Sequence, residues 1–265
     1  MTDDAVTLDV EDEVATLTLS RPESRNALTH EVAAGISDAI EAVPDTDARI
    51  VVIEGEGPAF SAGGDIQSMN ERFEGDGEPL HEVTEHIASI TGQAIADVAE
   101  CTLPTVALVD GTAFGAGANL AIAADVVLAS DDAEISFGFR QVGLAVDAGT
   151  SYLLPRIVGE SVALELVYTG ELLDAERADD LGIFNHVYEA ERFEAEAESM
   201  IETIANGPTV ALAASKRSIR KGLSSSLREA LENEADAQAA VFETHDHEEG
   251  VTAFLERREP SFEGR

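Results

Sequence analysis

The 265-residue chain has little positive charge: 16 lysines and arginines stand against 53 aspartates and glutamates, for a formal net charge of −37. Lys216 and Lys221 are the only lysines. So few bases cannot form the basic surface that phosphate backbones require, which excludes nucleic-acid binding. The acids are spread along the chain and predict a solvated acidic surface, whose self-repulsion concentrated salt would screen. We therefore expect a protein from a halophile.

Cysteine, tryptophan and long apolar runs are also scarce. The lone Cys101 excludes an internal disulfide framework and fits a reducing compartment, where it packs as a small hydrophobic residue. No apolar run approaches the roughly 20 residues of a membrane span. The N-terminal segment MTDDAVTLDVEDEV is acidic where a signal peptide would be basic and then apolar. We expect a cytoplasmic protein, and the 44% of hydrophobic residues suffices for a core.

Strands, glycine-rich turns and helices alternate in the first part of the chain and predict an α/β fold. Residues 6–20 alternate apolar and polar side chains around an acidic turn, which predicts a β-hairpin. Thr29 can cap a helix that ends before Pro44. The polar segment 70–79 predicts a mobile loop, followed by a long helix to about Glu100. Buried strands are predicted at RIVVIEG, TVALVD and DVVLAS (49–55, 105–110, 125–130).

The last part of the chain has a helical pattern. After residue 155 only the segment IFNHVY indicates a strand, and residues 189–257 form helices interrupted at 206–208 and near 222–226. We therefore divide the chain into an α/β core, residues 1–190, and an all-α C-terminal region, residues 191–265.

Two segments share one design, in which a strand leads through a glycine-rich turn into a helix. They are IVVIEGEGPAFSAGGDI at 50–66 and TVALVDGTAFGAGANLA at 105–121. Neither is a P-loop, because no Gly-Lys-Ser/Thr follows, and the first lacks the third glycine of a dinucleotide fingerprint. Two interpretations stay open: an oxyanion hole built from backbone amides, or two tight turns that need glycine for packing.

Asp147 lies in the otherwise small and apolar segment VGLAVDAGTSYLLPR, residues 142–156. Almost all other acids of the chain have polar neighbours. Asp147 precedes a helical pattern, so it is either a helix N-cap or a catalytic base whose pKa the apolar neighbours raise by desolvation.

The remaining candidates are weaker. His81 and His86 are five residues apart, which is not the i,i+4 spacing of a helical metal pair. His245 and His247 lie in an acidic segment typical of a solvated helix end. We predict no metal site, and no Gly-x-Ser-x-Gly elbow of a serine hydrolase is present. The basic cluster KRSIRK, 216–221, either complements a helix dipole or binds a phosphate-bearing ligand.

Several segments, in this order, resemble the crotonase (enoyl-CoA hydratase/isomerase) superfamily. They are LSRPESRNAL (19–28), FSAGGDI (60–66), DGTAFGAGANLAIAADVVLAS (110–130), LLPRIVG (153–159), TGELLDAERADDLGIFNHV (169–187) and EGVTAFLERREPSF (249–262). The resemblance extends from near residue 6 to the C-terminus. It implies a ββα spiral core with an all-α C-terminal trimerisation region, assembled as a trimer or dimer of trimers. It also implies an acyl-CoA thioester substrate and no cofactor, since coenzyme A is part of the substrate. It favours the oxyanion-hole interpretation of the two loops.

The resemblance assigns site residues by position. The oxyanion donors are the backbone N–H groups of Gly64 and Ala116, where alanine keeps the amide. Asp65 caps the helix that follows the first loop. Lys216 falls where a C-terminal helix, often a neighbour's, approaches the CoA phosphates. The residues that line the substrate and CoA site are Arg25, Ala27, Ala62, Asp65, Ile66 and Lys216.

The reaction is where the sequence departs from the hydratases of this superfamily. Hydratases carry two glutamates that orient and deprotonate a water, and here these positions hold Asn119 and Phe139. Neither side chain can take a proton, so Asp147 is the carboxylate left for proton transfer. Isomerase-like branches, including ring-epoxide isomerases of phenylacetyl-CoA breakdown and dienoyl-CoA isomerases, place Asp at this position. We therefore expect double-bond or ring isomerisation of an acyl-CoA.

Two alternatives stay open. The first is an enoyl-CoA hydratase that uses Asp147 or a substituted site to activate water. The second, of another class, is a non-catalytic acyl-CoA-binding homologue, which the absence of both glutamates motivates.

Overall fold

The computed structural model describes residues 5–74, 81, 84 and 87–265. Its main sheet has six strands in the order β1-β2-β3-β4-β6-β9. β1 and β2 form an antiparallel hairpin, and every further pairing in this sheet is parallel. The strands are β1 Val6–Glu11, β2 Val14–Leu19, β3 Ile50–Gly55, β4 Thr105–Val109, β6 Val126–Ser130 and β9 His186–Tyr188.

A second sheet of three strands has the order β5-β7-β8. The strands are β5 Thr112–Phe114, β7 Glu134–Ser136 and β8 Leu173–Asp174. β5 is parallel to β7, and β7 is antiparallel to β8. β5 follows β4 closely in the chain, so the segment between them turns from one sheet into the other. The second glycine-rich segment is therefore held by both sheets.

Helices cover the sheets and form the C-terminal part. They are α1 His30–Ala42, α2 Ile66–Glu74, α3 Gly92–Glu100, α4 Ala116–Ala123, α5 Thr150–Val158, α6 Glu160–Thr169, α7 Ala175–Asp180, α8 Ala190–Ala205, α9 Thr209–Gly222, α10 Leu227–Val241 and α11 His245–Glu256. A π-helical turn, Ile87–Thr91, leads into α3. None of the described helices is long and apolar enough to cross a membrane.

Burial of the parallel strands on both faces explains their sequences. Ile50, Val51, Val52 and Ile53 are all buried, because helices cover both faces of β3. The face of Val51 and Ile53 packs with α1, α3 and α4, and the face of Ile50 packs with Phe193 of α8. The α/β core with C-terminal helices is thus confirmed, while α8 packs directly on the sheet of the core. The division near residue 190 stays a prediction.

Most predicted elements agree with the structure. The hairpin at 6–20 is confirmed, and the Thr29 hydroxyl accepts the Val32 N–H at 3.2 Å at the start of α1. The predicted helix breaks fall between α8 and α9 and between α9 and α10. The loop predicted at 70–79 is wrong for residues 70–74, which continue α2, and residues 75–79 lie outside the described residues. The short strands β5, β7 and β8 were not predicted, because two or three residues carry too little alternation to read.

Candidate active site

The first glycine-rich loop follows β3 at the carboxyl edge of the parallel sheet and is fixed by the segment before α1. The Ala62 N–H donates to the Arg25 carbonyl at 2.8 Å, and the Leu28 N–H donates to the Gly63 carbonyl at 2.7 Å. The Ser61 hydroxyl donates to the Asn26 carbonyl at 2.7 Å. The loop is therefore held from one side at residues 61–63.

Asn26 is the buried anchor of this arrangement. Its side chain accepts the Arg21 N–H at 2.9 Å and donates to the carbonyls of Glu56 and Ala59 at 3.0 and 2.9 Å. Arg25 and Asn26 adopt left-handed backbone conformations, with φ of 52° and 53°. Asparagine tolerates this region better than most residues, and its amide satisfies the backbone groups that the turn leaves unpaired.

The second loop packs directly against the first. The Phe114 N–H donates to the Ser61 carbonyl at 2.9 Å, and the Ser61 N–H donates to the Thr112 carbonyl at 3.2 Å. Gly63 has a φ of +80°, and a Cβ there would come within 3.1 Å of the Ala116 nitrogen and 2.2 Å of the Phe114 carbonyl oxygen. Only glycine fits at this position, because both the conformation and the space exclude a side chain.

Two backbone amides of these loops, those of Gly64 and Ala116, are the predicted oxyanion donors. Among the hydrogen bonds of the described residues, none uses the backbone N–H of Gly64 or of Ala116. Ala116 is the first residue of α4, where helix geometry leaves N–H groups without an internal partner. Two unpaired amides in adjoining loops can stabilise negative charge that develops on a carbonyl oxygen.

Asp65 follows the first loop and caps α2. One carboxylate oxygen accepts the N–H groups of Gln67 and Ser68 at 2.9 and 3.3 Å, and the other accepts the Ser68 hydroxyl. The hydrogen bond from the Ser68 side chain is the main reason why the pKa of Asp65 lies below its ordinary value. The capping interaction expected of Asp65 is therefore present.

Asp147 does not cap α5. The N-cap residue is Gly149, no side chain makes a capping hydrogen bond, and the N-cap interpretation of Asp147 is thus wrong. Its Oδ1 is buried and has no hydrogen-bond partner among the described residues. Burial raises the pKa of the Asp147 carboxyl. A partly desolvated carboxylate is a stronger base than a fully solvated one.

Asn119 and Phe139 occupy the positions where hydratases carry glutamates. Asn119 is fully buried on α4, and its amide donates to the Asp147 carbonyl at 3.1 Å and to the Thr150 hydroxyl at 2.7 Å. The Phe139 side chain is buried, with ring atoms 3.9 Å from where a Cβ on Gly115 would lie. An apolar ring and an amide thus stand close to the second loop and to Asp147.

The structure brings most of the other predicted site residues to the same loops. Arg25 is exposed beside the first loop, Ala27 is buried next to Asn26, and Ala62 is bonded to the Arg25 backbone. Ile66, at the start of α2, is 55% exposed, as expected for a surface that a ligand covers. Their contact with coenzyme A stays a prediction.

Lys216 lies elsewhere. Its Nζ contacts an Asp125 carboxylate oxygen at 2.6 Å and donates to the Leu103 carbonyl at 2.8 Å. Burial lowers the pKa of Lys216, against the opposing effect of Asp125. These partners lie at the amino end of β4, whereas the glycine-rich loops follow the carboxyl ends of the strands. The structure does not bring Lys216 to this chain's own loops, so the CoA contact stays a prediction only for the coenzyme A of a neighbouring copy.

The weaker candidates gain no role. Within the described part of the chain, no group of three or more His, Cys, Asp or Glu residues could hold a metal ion. His245 and His247 lie in the first turn of α11, as expected of a helix end. His86 lies outside the described residues.

Two residues whose hydrogen bonds stabilise the site were not predicted from the sequence. Ser61 links the first loop to Asn26, and Thr150 donates its hydroxyl to the Asp147 carbonyl at 2.9 Å. Thr150 follows Asp147 by three residues, which is a common spacing for a local side-chain to backbone bond. This spacing is the signal that could have revealed it.

The parallel sheet, the paired glycine-rich loops and the C-terminal helices define a protein of the crotonase fold. Its sequence matches the family model "Enoyl-CoA hydratase/isomerase" over residues 9–265. The chain belongs to this family and is an enzyme of the enoyl-CoA hydratase/isomerase type.

Among the individual relatives, some are named isomerases and others hydratases. The chain is 32% identical to 1,2-epoxyphenylacetyl-CoA isomerase of Escherichia coli, with 97% of each chain covered. It is also 32% identical to crotonyl-CoA hydratase of Syntrophomonas wolfei, again with 97% of each covered. The crystal structure of an enoyl-CoA hydratase/isomerase from Cupriavidus metallidurans aligns with a TM-score of 0.90 and 32% identity, covering 100% of this chain and 98% of the other.

Proposed function

We propose that this enzyme isomerises an acyl-CoA thioester, with Asp147 as the base and acid that shifts one proton. The observation that carries the proposal is the buried Asp147 Oδ1, which finds no hydrogen-bond partner in the described part of the chain, combined with Asn119 and Phe139 at the positions of the hydratase glutamates. A site with one carboxylate can move a proton between two carbons. A water-adding site needs groups that orient and deprotonate a water.

The proton shift proceeds in two steps for a 3-enoyl-CoA. Asp147 takes a proton from the α-carbon, and the C–H electron pair forms a double bond to the thioester carbon as the carbonyl becomes an enolate. The amides of Gly64 and Ala116 stabilise the enolate oxygen. The carbonyl then re-forms, the double bond moves to the α,β position, and the γ-carbon takes the proton back from Asp147. The raised pKa of Asp147 favours the first step, because it makes the carboxylate a better base.

Relatives of both kinds leave hydration as a second candidate. A relative named crotonyl-CoA hydratase is as similar to this chain as one named isomerase. A non-catalytic acyl-CoA-binding role is disfavoured by the buried Asp147 Oδ1, which has no hydrogen-bond partner among the described residues, because a binding protein gains nothing from a buried unpaired carboxylate oxygen. The relative named 1,2-epoxyphenylacetyl-CoA isomerase supports a ring substrate as one member of the assay panel.

The test compares wild type with Asp147→Asn on 2-enoyl, 3-enoyl, 2,5-dienoyl and epoxyphenylacetyl-CoA in molar KCl. We expect the variant to lose about 10²-fold or more in kcat on the isomerised substrate, because it lacks the proton acceptor. Deuterium uptake at the α-carbon in D₂O separates an enzyme from a binding protein. Wild-type turnover by Asp147→Asn on every substrate contradicts the proposal, and crotonyl-CoA hydration as fast as isomerisation favours the hydratase.

We also propose that the protein self-associates through its C-terminal helices as a trimer or a dimer of trimers. Large apolar side chains are exposed there, including Leu227 at 78%, Phe254 at 82% and Leu255 at 75%. A strongly charged chain that leaves such residues uncovered gains free energy by burying them against another copy.

A further inference from the structure

Both amide N–H groups of Asn119 donate hydrogen bonds to one short segment of the chain. They bind the carbonyl of Asp147 and the hydroxyl of Thr150, which lie three residues apart at the start of α5. The Thr150 hydroxyl and the Thr150 N–H also donate to the Asp147 carbonyl, at 2.9 and 3.0 Å. The backbone of Asp147 is therefore tied to α4 by a side chain that cannot titrate.

This segment needs an external anchor because its backbone is unusual. Ala148 and Gly149 have φ values of 47° and 83°, two successive residues in the left-handed region. An alanine there is strained, and such a conformation persists only where the surroundings impose it. The Asn119 amide supplies the contact from outside the segment.

The amide of Asn119 is not well placed for stability alone. Its Oδ1 is buried without a hydrogen-bond partner among the described residues, as is the Oδ1 of Asp147. Buried unpaired acceptors are costly and uncommon, and a residue used only for packing would avoid them. The presence of an asparagine at position 119 is explained by the two groups that its amide N–H donors bind, the Asp147 carbonyl and the Thr150 hydroxyl.

Asn119 also shares a rigid helix with an oxyanion donor. Ala116 is the first residue of α4, and the Asn119 N–H donates to the Gly115 carbonyl at 3.2 Å within the first turn. The distance from the enolate oxygen to the carboxylate that takes the α-proton is thereby set by one helical turn and one side-chain amide. Proton transfer is sensitive to displacements of about 1 Å.

We propose that Asn119 is a positioning residue for proton transfer, which together with Thr150 fixes Asp147 relative to the amide of Ala116. The inference rests on the proposed function, because it gives Asn119 a role only if Asp147 moves the proton. At the position where hydratases carry a catalytic glutamate, Asn119 thus holds the base Asp147 in place and is not itself a base.

The test uses Asn119→Leu, which keeps the volume and removes both donors together with the unpaired oxygen, and the matched pair Thr150→Val and Thr150→Ser. We expect Asn119→Leu and Thr150→Val to lower kcat about 10- to 100-fold, with KM for the acyl-CoA within about threefold of wild type, because the oxyanion loops are untouched. Thr150→Ser keeps the hydroxyl and should retain kcat within about threefold. The double variant should lose little more than the worse single one, because both act through one carbonyl.

A pH profile separates positioning from general stabilisation. No charged side chain among the described residues contributes to the raised pKa of Asp147, which comes from burial. A loosened segment lets more water reach the carboxyl, so the acid limb of kcat/KM in Asn119→Leu should move to lower pH. A role in folding alone would lower the melting temperature and leave this limb in place.

The outcomes distinguish the two proposals. An inactive Asp147→Asn, with wild-type kcat and pH profile in both Asn119→Leu and Thr150→Val, overturns the inference and leaves the proposed function standing. A fully active Asp147→Asn overturns both. If Asn119→Leu does not fold, the Thr150 pair decides: equal loss of kcat in the valine and serine variants contradicts the inference.

Discussion

Gly117, the second residue of α4 directly after the second loop, lies against Ser61 of the first loop. A Cβ on Gly117 would come within 2.4 Å of the Ser61 carbonyl oxygen and 2.7 Å of its Oγ. Both Ser61 groups are engaged, the carbonyl by the Phe114 N–H and the hydroxyl by the Asn26 carbonyl. The separation of the two loops is therefore limited by a glycine that has no room for a methyl group.

Gly117→Ala should push the loops apart. We expect a loss of roughly 1–3 kcal/mol in the free energy of unfolding from overpacking, and a loss of about 10²-fold in kcat/KM because the two amides no longer converge. Gly222→Ala is the control, because nothing lies within 4 Å of a Cβ there. Urea unfolding and steady-state kinetics measure both variants. Wild-type kcat/KM in Gly117→Ala would show that the loops do not form one site.

The Asp125 carboxylate joins four donors at the amino edge of the sheet. It pairs with Lys216 and Arg220 at 2.6 and 2.7 Å and accepts the Thr105 N–H and hydroxyl at 2.8 and 3.0 Å. Asp125→Ala leaves two cations without their anion and should cost roughly 1–3 kcal/mol in unfolding free energy, since the cluster is only partly buried. Adding Lys216→Met should restore part of the loss, as chemical denaturation would show. Equal stability of wild type and Asp125→Ala would contradict this.

The two site aspartates should have opposite effects on the pH dependence of stability. Burial raises the pKa of Asp147 above 3.8, so its stabilising contribution is complete below pH 3.8 and disappears as the pH rises through the native pKa. Asp147→Asn should therefore gain stability relative to wild type as the pH rises. The pKa of Asp65 is lowered, so its contribution is present above 3.8 and disappears as the pH falls through the native value.

Asp65→Ala serves as the contrasting variant. It should lose about 1 kcal/mol or less near neutral pH, because it lacks a partly exposed cap, and the loss should shrink in acid. Melting temperatures from about pH 2 to about pH 8 measure both differences, since the Asp65 contribution disappears only below pH 3.8. Parallel pH curves for wild type and Asp147→Asn would mean that Asp147 is not desolvated.

Salt should stabilise the protein strongly. With a formal net charge of −37, self-repulsion is large at low ionic strength. Raising KCl from about 0.1 M to about 1 M shortens the screening length from about 10 Å to about 3 Å, so the melting temperature should rise by several degrees or more. Sucrose at matched osmolality controls for effects unrelated to charge. An unchanged melting temperature would contradict the halophile expectation.

Removing the apolar surface of α11 should reduce self-association. We expect Phe254→Glu combined with Leu255→Glu to dissociate the assembly, because a carboxylate cannot be buried without a partner. Val10→Glu, on β1 and 41% exposed, is the control outside the C-terminal region. Sedimentation velocity gives the masses. A monomeric wild type, or an unchanged assembly in the double variant, would contradict the proposed interface.

The sequence by itself determined the α/β fold and the longer elements of the main sheet and the C-terminal helices. Alternation in the hairpin, the Thr29 cap and the breaks between the C-terminal helices are local signals, written within one or two turns of chain. The glycine-rich segments were visible for the same reason, since glycine is the residue that best tolerates a left-handed conformation or a close backbone contact.

Only the tertiary structure decided which residues meet. Asn119 and Thr150 are 31 residues apart in the chain, and Ser61 and Asn26 are 35 apart, so their hydrogen bonds leave no local pattern. Lys216 was assigned by position to a ligand, yet within the chain its ammonium lies against Asp125, 91 residues away in sequence. For Asp147, sequence left the choice between cap and base open. The fold removed the cap, because Gly149 is the N-cap residue of α5 and the buried Oδ1 of Asp147 has no hydrogen-bond partner among the described residues.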